Sequence, residues 1–230
     1  ATAHVKKTIT FSDLDFGHAS GEKKFTLVNE SSPEMSLSAD LEDEHEIVLG
    51  RDELDPGNSS ISGEGHIQLR EQSGKWFIKD LSSNGATFMQ ASGYMPVYEG
   101  MRMIFGNRIF KASIGNAGNQ VNAASNKTMQ FGQFNLSNKN NTSITLHDEV
   151  SGLAKNYNGE QIELNRFNID PDEQSISGSL HAVLENKQGN WFINDRSSNK
   201  ATFVQVLNEM QLPNQTGLII GNKVFRFKLG

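Results

Sequence analysis

The sequence predicts an all-β protein built from two similar domains, and two observations support this fold class. Short runs of alternating apolar and polar residues, such as HIQLRE and KWFIKD, recur along the chain. Turn residues separate them about every 8 to 12 positions, a spacing typical of a β-sandwich or barrel. In addition, the stretch from Arg51 to Gly115 reappears without a gap as Arg166 to Gly230.

The repeat has the length of a whole domain. About 27 of the 65 aligned positions are identical, and the repeat exceeds the roughly 20 to 50 residues of a solenoid unit. The uncharged segment NAGNQVNAASN between the copies has the composition of a linker. We predict a first domain over residues 1–118, a linker over 119–126 and a second domain over 127–230. Because the copies are uniform, each is expected to fold on its own.

Composition argues against several classes of function. The chain has no cysteine, which excludes disulfides, thiolate metal sites and cysteine nucleophiles and fits a cytoplasmic location. A net charge of −6 argues against non-specific binding to nucleic acid, which depends on a broad positive field. No apolar run approaches the ~18 residues of a membrane span, so no membrane insertion is expected. The amino end lacks a signal core and an initiator Met, as expected for a piece of a longer protein.

Two hairpin turns are predicted at equivalent places in both copies. Gly106-Asn107 and Gly221-Asn222 lie between apolar runs, and glycine at the first central position suits a type II′ turn. Ser73-Gly74 and Gln188-Gly189 each precede a tryptophan-containing strand. We expect these tryptophans, Trp76 and Trp191, to pack in the core.

Three short segments recur in the same order in both copies. In the first copy they are Gly50-Arg51, Ser62 to His66 and Asp80 to Phe88. In the second copy they are Asn165-Arg166, Ser177 to His181 and Asp195 to Phe203. This order resembles the forkhead-associated (FHA) family, which has Gly-Arg, then Ser-x-x-His, then Asn-Gly-Thr. The resemblance covers nearly the whole chain as two tandem copies.

The resemblance implies two tandem β-sandwich domains of FHA type that recognise phosphothreonine in an unstructured segment of a partner protein. Arg51 and Ser62 would hold the phosphate, with Gly63 as the alternative position nearest to it. Asn84 would bond the peptide backbone, and Ser83 would line the same loop. The partner would be a Ser/Thr kinase or its substrate. Such a module is not an enzyme and needs no metal or cofactor.

The resemblance also implies that His66 and His181 are structural and brace the loops. Candidates for a weaker second site are Arg166, Ser177, Ser198 and Asn199. Both copies depart from the family pattern, with three residues between Ser and His and an extra alanine before the threonine. The second copy departs further, because Lys200 replaces the glycine that favours positive φ and Asn165 replaces Gly50. Recognition is therefore expected mainly in the first copy.

These residue types suit a phosphorylated ligand on chemical grounds alone. Phosphothreonine has a charge of about −1.5 to −2 and three acceptor oxygens. Arginine offers a rigid fork of donors, and serine hydroxyls and loop N–H groups supply more. An asparagine side chain both donates and accepts, so it can pair with an extended backbone.

Plainer interpretations stay open for the same residues. Arg51 could pair with Asp52 or Glu53 on the surface. Ser62 and Ser177 could bond their own backbone, and Asn84 and Asn199 could be turn residues. A catalytic triad of Ser62, His66 and Asp80 lacks the Gly-x-Ser-x-Gly turn. The rival to phosphopeptide recognition is a phosphate-independent scaffold made of two such sandwiches.

Overall fold

The structure is a computed structural model that describes residues 23–41, 45–115 and 143–230. Within these ranges the chain is mostly β-strand, and all strand pairs are antiparallel, which confirms the all-β prediction. The α-helices in these ranges are single turns, α1 (Arg51–Leu54) and α2 (Arg166–Ile169), and one 3₁₀ turn covers Pro33–Met35. No helix in the described part is long and apolar enough to cross a membrane. The predicted linker, 119–126, lies outside the described residues.

Equivalent strands form in the two copies. The first copy contains β1 (Lys24–Asn29), β2 (Leu37–Asp40), β3 (Glu46–Leu49), β4 (Ile67–Gln72), β5 (Lys75–Asp80), β6 (Thr87–Gln90), β7 (Met95–Val97), β8 (Arg102–Phe105) and β9 (Arg108–Ile114). The second contains β10 (Ser143–Asp148), β11 (Ala154–Asn158), β12 (Gln161–Leu164), β13 (Ala182–Lys187), β14 (Asn190–Asp195), β15 (Thr202–Gln205), β16 (Met210–Gln211), β17 (Gly217–Ile220) and β18 (Lys223–Leu229).

The predicted hairpin turns are confirmed. Ser73 and Gly74, between β4 and β5, have φ of 53° and 76°, as a type I′ turn requires at both central residues. Gly106, between β8 and β9, has φ of 60°, while Asn107 is not among the residues with positive φ. That combination fits the type II′ turn expected there.

The strands form three sheets that cross between the copies. A ten-stranded sheet has the order β11-β10-β9-β8-β15-β6-β17-β18-β1-β2. Two four-stranded sheets have the orders β3-β4-β5-β16 and β12-β13-β14-β7. We call β1–β6 with β16–β18 the first half of the molecule, and β10–β15 with β7–β9 the second half. Each half thus takes three strands from the other copy.

This pairing differs from the expectation that each copy folds on its own over residues 1–118 or 127–230. Strands β6 and β15 pair antiparallel across the molecule, with Val204 opposite Met89, and this sends the chain after each of them into the opposite half. The repeat could not predict this, because β7 and β16 occupy equivalent positions and either one could pair with β5. The copies in the sequence and the halves in space are therefore different sets of residues.

Polar contacts on the small sheets hold the exchanged strands. Arg70 on β4 forms a two-pronged pair with Glu209, which precedes β16, with N–O distances of 2.8 and 2.6 Å. In the second half Tyr94, just before β7, donates to Glu185 on β13 at 2.6 Å. The bidentate pair of Arg70 with Glu209 fixes geometry as well as adding energy, and both contacts mark where an exchanged strand docks.

The core lies between the large and small sheets in a sandwich-like arrangement. In the first half Trp76 on β5 contacts Phe25 on β1 and Phe227 on β18, with ring centroids 5.0 and 5.5 Å apart. Phe227 comes from the second copy, so the aromatic cluster itself joins the copies. Trp76 and Trp191 are both buried, as predicted.

Candidate functional site

Two loops and the start of α1 hold the predicted site residues of the first copy. Loop A (residues 55–66) joins α1 to β4, and loop B (81–86) joins β5 to β6. Together they form the first site. Loops A′ (170–181) and B′ (196–201) are their counterparts and form the second site.

Arg51, the first residue of α1, lies along loop A. Its backbone N–H donates to the Ser62 carbonyl at 2.9 Å, and its Nε donates to the Ile61 carbonyl at 2.9 Å. The two terminal guanidinium nitrogens have no hydrogen-bond or ion-pair partner among the described residues. Glu53 is instead bonded to the Gly50 N–H at 2.8 Å, so the predicted alternative of a surface pair with Asp52 or Glu53 is not what the structure has.

Ser62 uses its backbone to hold the loop and leaves its hydroxyl free. Its N–H donates to Nδ1 of His66 at 3.0 Å, and its carbonyl accepts from Arg51. Within the described ranges, the Ser62 hydroxyl and the Gly63 N–H have no partner. Gly63 is exposed, with open space around it. The loop therefore presents two unused donors next to the arginine.

Gly50 is required because the chain passes very close to it. A Cβ at this position would run into the Gly63 carbonyl. In the second copy Asn165 occupies the position, and its side chain accepts from the Asn168 N–H at 3.2 Å. The loop and the helix turn nevertheless meet in the same way in the second copy, where the Arg166 N–H donates to the Ser177 carbonyl at 2.8 Å.

His66 is fully buried behind loop A. Its Nδ1 accepts from the backbone N–H of Ser62 and not from the hydroxyl, and its carbonyl accepts from the Leu81 N–H at 2.8 Å. Burial lowers the pKa of His66, against the opposing influence of Asp80 and the nearby Ala86 carbonyl. His181 has the same burial and the same bond to Ser177, at 3.1 Å. This geometry favours the structural role predicted for both histidines.

Loop B is shaped by Asp80, a role that the sequence analysis missed. Oδ1 of Asp80 accepts from the Ser82 N–H at 2.9 Å and the Thr87 hydroxyl at 3.0 Å. The loop tip, Ser83 and Asn84, is exposed, and neither side chain has a partner in the described part of the chain. Gly85 follows with φ of 60°. The loop thus presents a free amide side chain from a fixed base.

A turn from the second copy bridges the two loops of the first site. The Gly221 N–H donates to the Ala86 carbonyl at 2.8 Å, and the Asn222 N–H donates to the Ser60 hydroxyl at 3.1 Å. A Cβ on Gly221 would lie 2.6 Å from that hydroxyl. Equivalent contacts join Gly106 to the Ala201 carbonyl at the second site, at 2.9 Å.

A glutamine from the second copy also holds loop B. Nε2 of Gln205 donates to the Gly85 carbonyl at 2.9 Å, and its Oε1 accepts from the Arg102 N–H at 3.2 Å. The Arg102 side chain in turn donates to the Asn84 carbonyl at 3.3 Å. Gln205 aligns with an identical residue, Gln90, in the repeat, which is the one sequence signal that could have drawn attention to it.

The second site has the same arrangement of loops, but its arginine side chain is already hydrogen-bonded within the chain. Arg166 Nε donates to the Ile176 carbonyl at 2.9 Å, and its terminal nitrogens donate to Gln174, to Oε1 at 2.8 Å and to the carbonyl at 3.3 Å. The Phe167 ring lies 3.8 Å from a Cβ built on Gly178. The ligand side of this site is therefore partly filled by the chain itself.

Loop B′ keeps the shape of loop B despite its sequence. Lys200 has φ of 54°, so it adopts the left-handed conformation that Gly85 adopts in the first copy, at the cost that a side chain carries there. Ser198 and Asn199 are exposed, and Ser177 keeps a hydroxyl without a partner in the described residues. Only the arginine end of the second site is blocked.

No group of three or more His, Asp or Glu side chains in the described residues could hold a metal ion. The donors that meet at the first site are instead suited to an oxyanion, because they are a guanidinium, a hydroxyl and a backbone N–H. Comparison with protein-family models, with curated proteins and with solved structures gave no match.

Proposed function

We propose that this protein is a binding module that recognises phosphothreonine in an unstructured segment of a partner protein, chiefly through the first site. The observation that supports this most is the contrast between the two arginines. The terminal nitrogens of Arg51 have no partner among the described residues, whereas those of Arg166 are bonded to Gln174. An exposed guanidinium with open donors beside a free hydroxyl suits a phosphate group.

Each residue of the first site has a role in this proposal. Arg51, Ser62 and the Gly63 N–H donate to the phosphate oxygens. Asn84, at the tip of loop B, pairs with the backbone of the bound segment, and Ser83 lines that contact. The protein acts on no substrate in this account, and its partner is a Ser/Thr kinase or a kinase substrate in the cytoplasm. The sandwich-like halves are FHA-type units whose end loops form the site.

A second function is favoured by two observations on the second half. Because Gln174 satisfies Arg166 from within, and because each half contains strands of both copies, the second half suits a phosphate-independent scaffold. In this version the second site docks a partner without phosphate or only fixes the geometry of the first.

A peptide-library titration tests the proposal. The whole chain is titrated with fluorescent phosphothreonine peptides of varied flanking sequence and with the matching unphosphorylated peptides. We expect a subset of phosphorylated peptides to bind and their unphosphorylated forms to bind at least tenfold more weakly, about 1.4 kcal/mol. Equal binding of both forms would support the scaffold, and no binding of any phosphopeptide would refute the proposal.

A further inference from the structure

Residues of the second copy contact both loops of the first site, and three of these contacts lie close to the proposed ligand residues. Gln205 bonds the Gly85 carbonyl, Gly221 bonds the Ala86 carbonyl, and Asn222 bonds the Ser60 hydroxyl. The first two contacts act on loop B, directly after the exposed Asn84. The third acts on loop A, two residues before Ser62. The two loops of the site are therefore held in their relative positions by residues that are distant in the sequence.

We infer that the phosphopeptide site is composite, and that Gln205 of the second copy is a positioning residue for Asn84 in the first. This inference rests on the proposed function. Gln205 has two bonds, one to loop B and one to the Arg102 N–H, and Arg102 itself contacts the Asn84 carbonyl. Gln205 and Arg102 thus hold the two successive backbone carbonyls, of Asn84 and Gly85, that follow the side chain proposed to meet the peptide.

The geometry around Gly85 explains why the contact is close. A Cβ on Gly85 would run into the Gln205 amide, so glycine lets the amide approach the loop directly. In the second site the equivalent position is Lys200, and Gln90 bonds its carbonyl at 2.7 Å. Oε1 of Gln90 accepts from the Gly217 N–H at 3.2 Å. The two glutamines therefore make the same two kinds of bond, each to the loop of the other copy.

This symmetry supplies a matched control. Gln205→Met and Gln90→Met remove the same two hydrogen bonds from equivalent strands, so a purely structural role predicts equal effects of the two. Both variants are made in the whole chain with Arg166→Ala, which leaves only the first site able to hold phosphate. Each is titrated with the best phosphothreonine peptide, and its melting temperature is measured.

We expect similar falls in melting temperature for both variants but a loss of phosphopeptide affinity only for Gln205→Met. The loss should be about threefold to tenfold, the equivalent of one ordinary hydrogen bond. If Gln205→Met does not fold, Gln205→Asn and Gln90→Asn, which shorten the side chain without changing charge, give the same comparison. Equal affinities of the paired variants would overturn the inference while leaving the proposed function intact. Failure of the parent chain to bind any phosphopeptide would instead overturn both.

Discussion

Nη1 of Arg166 donates to Oε1 of Gln174 at 2.8 Å, and this bond separates the two otherwise similar sites. At the equivalent position the first copy has Ser59, whose short side chain makes no bond to Arg51 in the described structure. The two oxygens of Gln174 thus accept from the arginine nitrogens that the proposed phosphate would use. One residue in loop A′ therefore accounts for much of the difference expected between the sites.

Exchanging Ser59 and Gln174 between the copies should also exchange the phosphopeptide affinities of the two sites. Ser59→Gln should place an amide oxygen on Arg51 and weaken phosphopeptide binding by about fivefold, roughly 1 kcal/mol of a charge-assisted bond. Gln174→Ser should free Nη1 of Arg166, leaving only the bond from Nη2 to the backbone carbonyl of residue 174, and in an Arg51→Ala background it should create measurable phosphopeptide binding. Fluorescence titration of the wild type, of Ser59→Gln and of the chain with Arg51→Ala and Gln174→Ser checks both expectations. No change in either direction would show that occupancy of the arginine does not govern recognition.

Substitutions of Asn84 and of His66 should have different effects on phosphopeptide binding and on stability. Asn84 is exposed and its side chain is unbonded within the described residues, so Asn84→Ala should weaken phosphopeptide binding and leave the melting temperature nearly unchanged. The matched control, Asn199→Ala, should change neither phosphopeptide binding at the first site nor the melting temperature. An unfolded Asn84→Ala chain would make loop B a structural turn.

His66→Ala should lower stability first. It removes the acceptor of the Ser62 N–H and leaves a cavity where a buried ring was, at a cost of roughly 1–3 kcal/mol. Thermal unfolding measures this cost, and binding should weaken only as a consequence. A variant with wild-type stability that no longer binds would place the histidine against the ligand.

Stability should fall as the pH drops through the range of the buried histidines. Burial lowers the pKa of His66 and of His181 below the ordinary 6.5. The unfolded chain therefore takes up protons first, and the stability present above pH 6.5 is lost as the pH falls below it. The carboxylates with lowered pKa, such as Asp148, contribute only at lower pH. Unfolding between about pH 7.5 and 5.5 measures the slope, which should flatten in a His66→Gln, His181→Gln chain.

The exchanged strands predict that the two copies stay together when the chain is cut. Fragments 1–118 and 127–230, expressed together, should elute as one complex, because β16–β18 complete the first half and β7–β9 complete the second. Charge reversal at Arg70, which holds Glu209, should weaken the complex. Fragments that elute separately, each folded, would mean that each copy can close on itself.

Local features of the fold were predictable, whereas the exchange was not. Alternating runs and turns such as Gly106-Asn107 determine strands and hairpins from short-range chemistry. The replacement of glycine by Lys200 was expected to set loop B′ apart, yet Lys200 adopts the left-handed conformation of Gly85. Which of two equivalent strands, β7 or β16, pairs with β5 depends on long-range packing that a repeat leaves undecided.

The placement of the candidate site residues was predictable to a similar extent. The short motifs identified Arg51, Ser62 and Asn84, and the structure places Arg51 at the start of α1 and the other two on loops A and B. Contacts made by Gln205 and Asn222 come from the other copy, so no motif within the first copy could reveal them. The occupation of Arg166 depends on Gln174, a residue that lies outside every motif.

The most direct test of phosphothreonine recognition by the first site compares Arg51→Ala with Arg166→Ala in the whole chain. Arg51→Ala removes a charge-assisted contact worth roughly 1.5–3 kcal/mol, so phosphopeptide affinity should fall about tenfold to hundredfold. Arg166→Ala should bind like the wild type, because its guanidinium is already held by Gln174. Wild-type affinity in the Arg51→Ala chain would contradict the assignment of the first site.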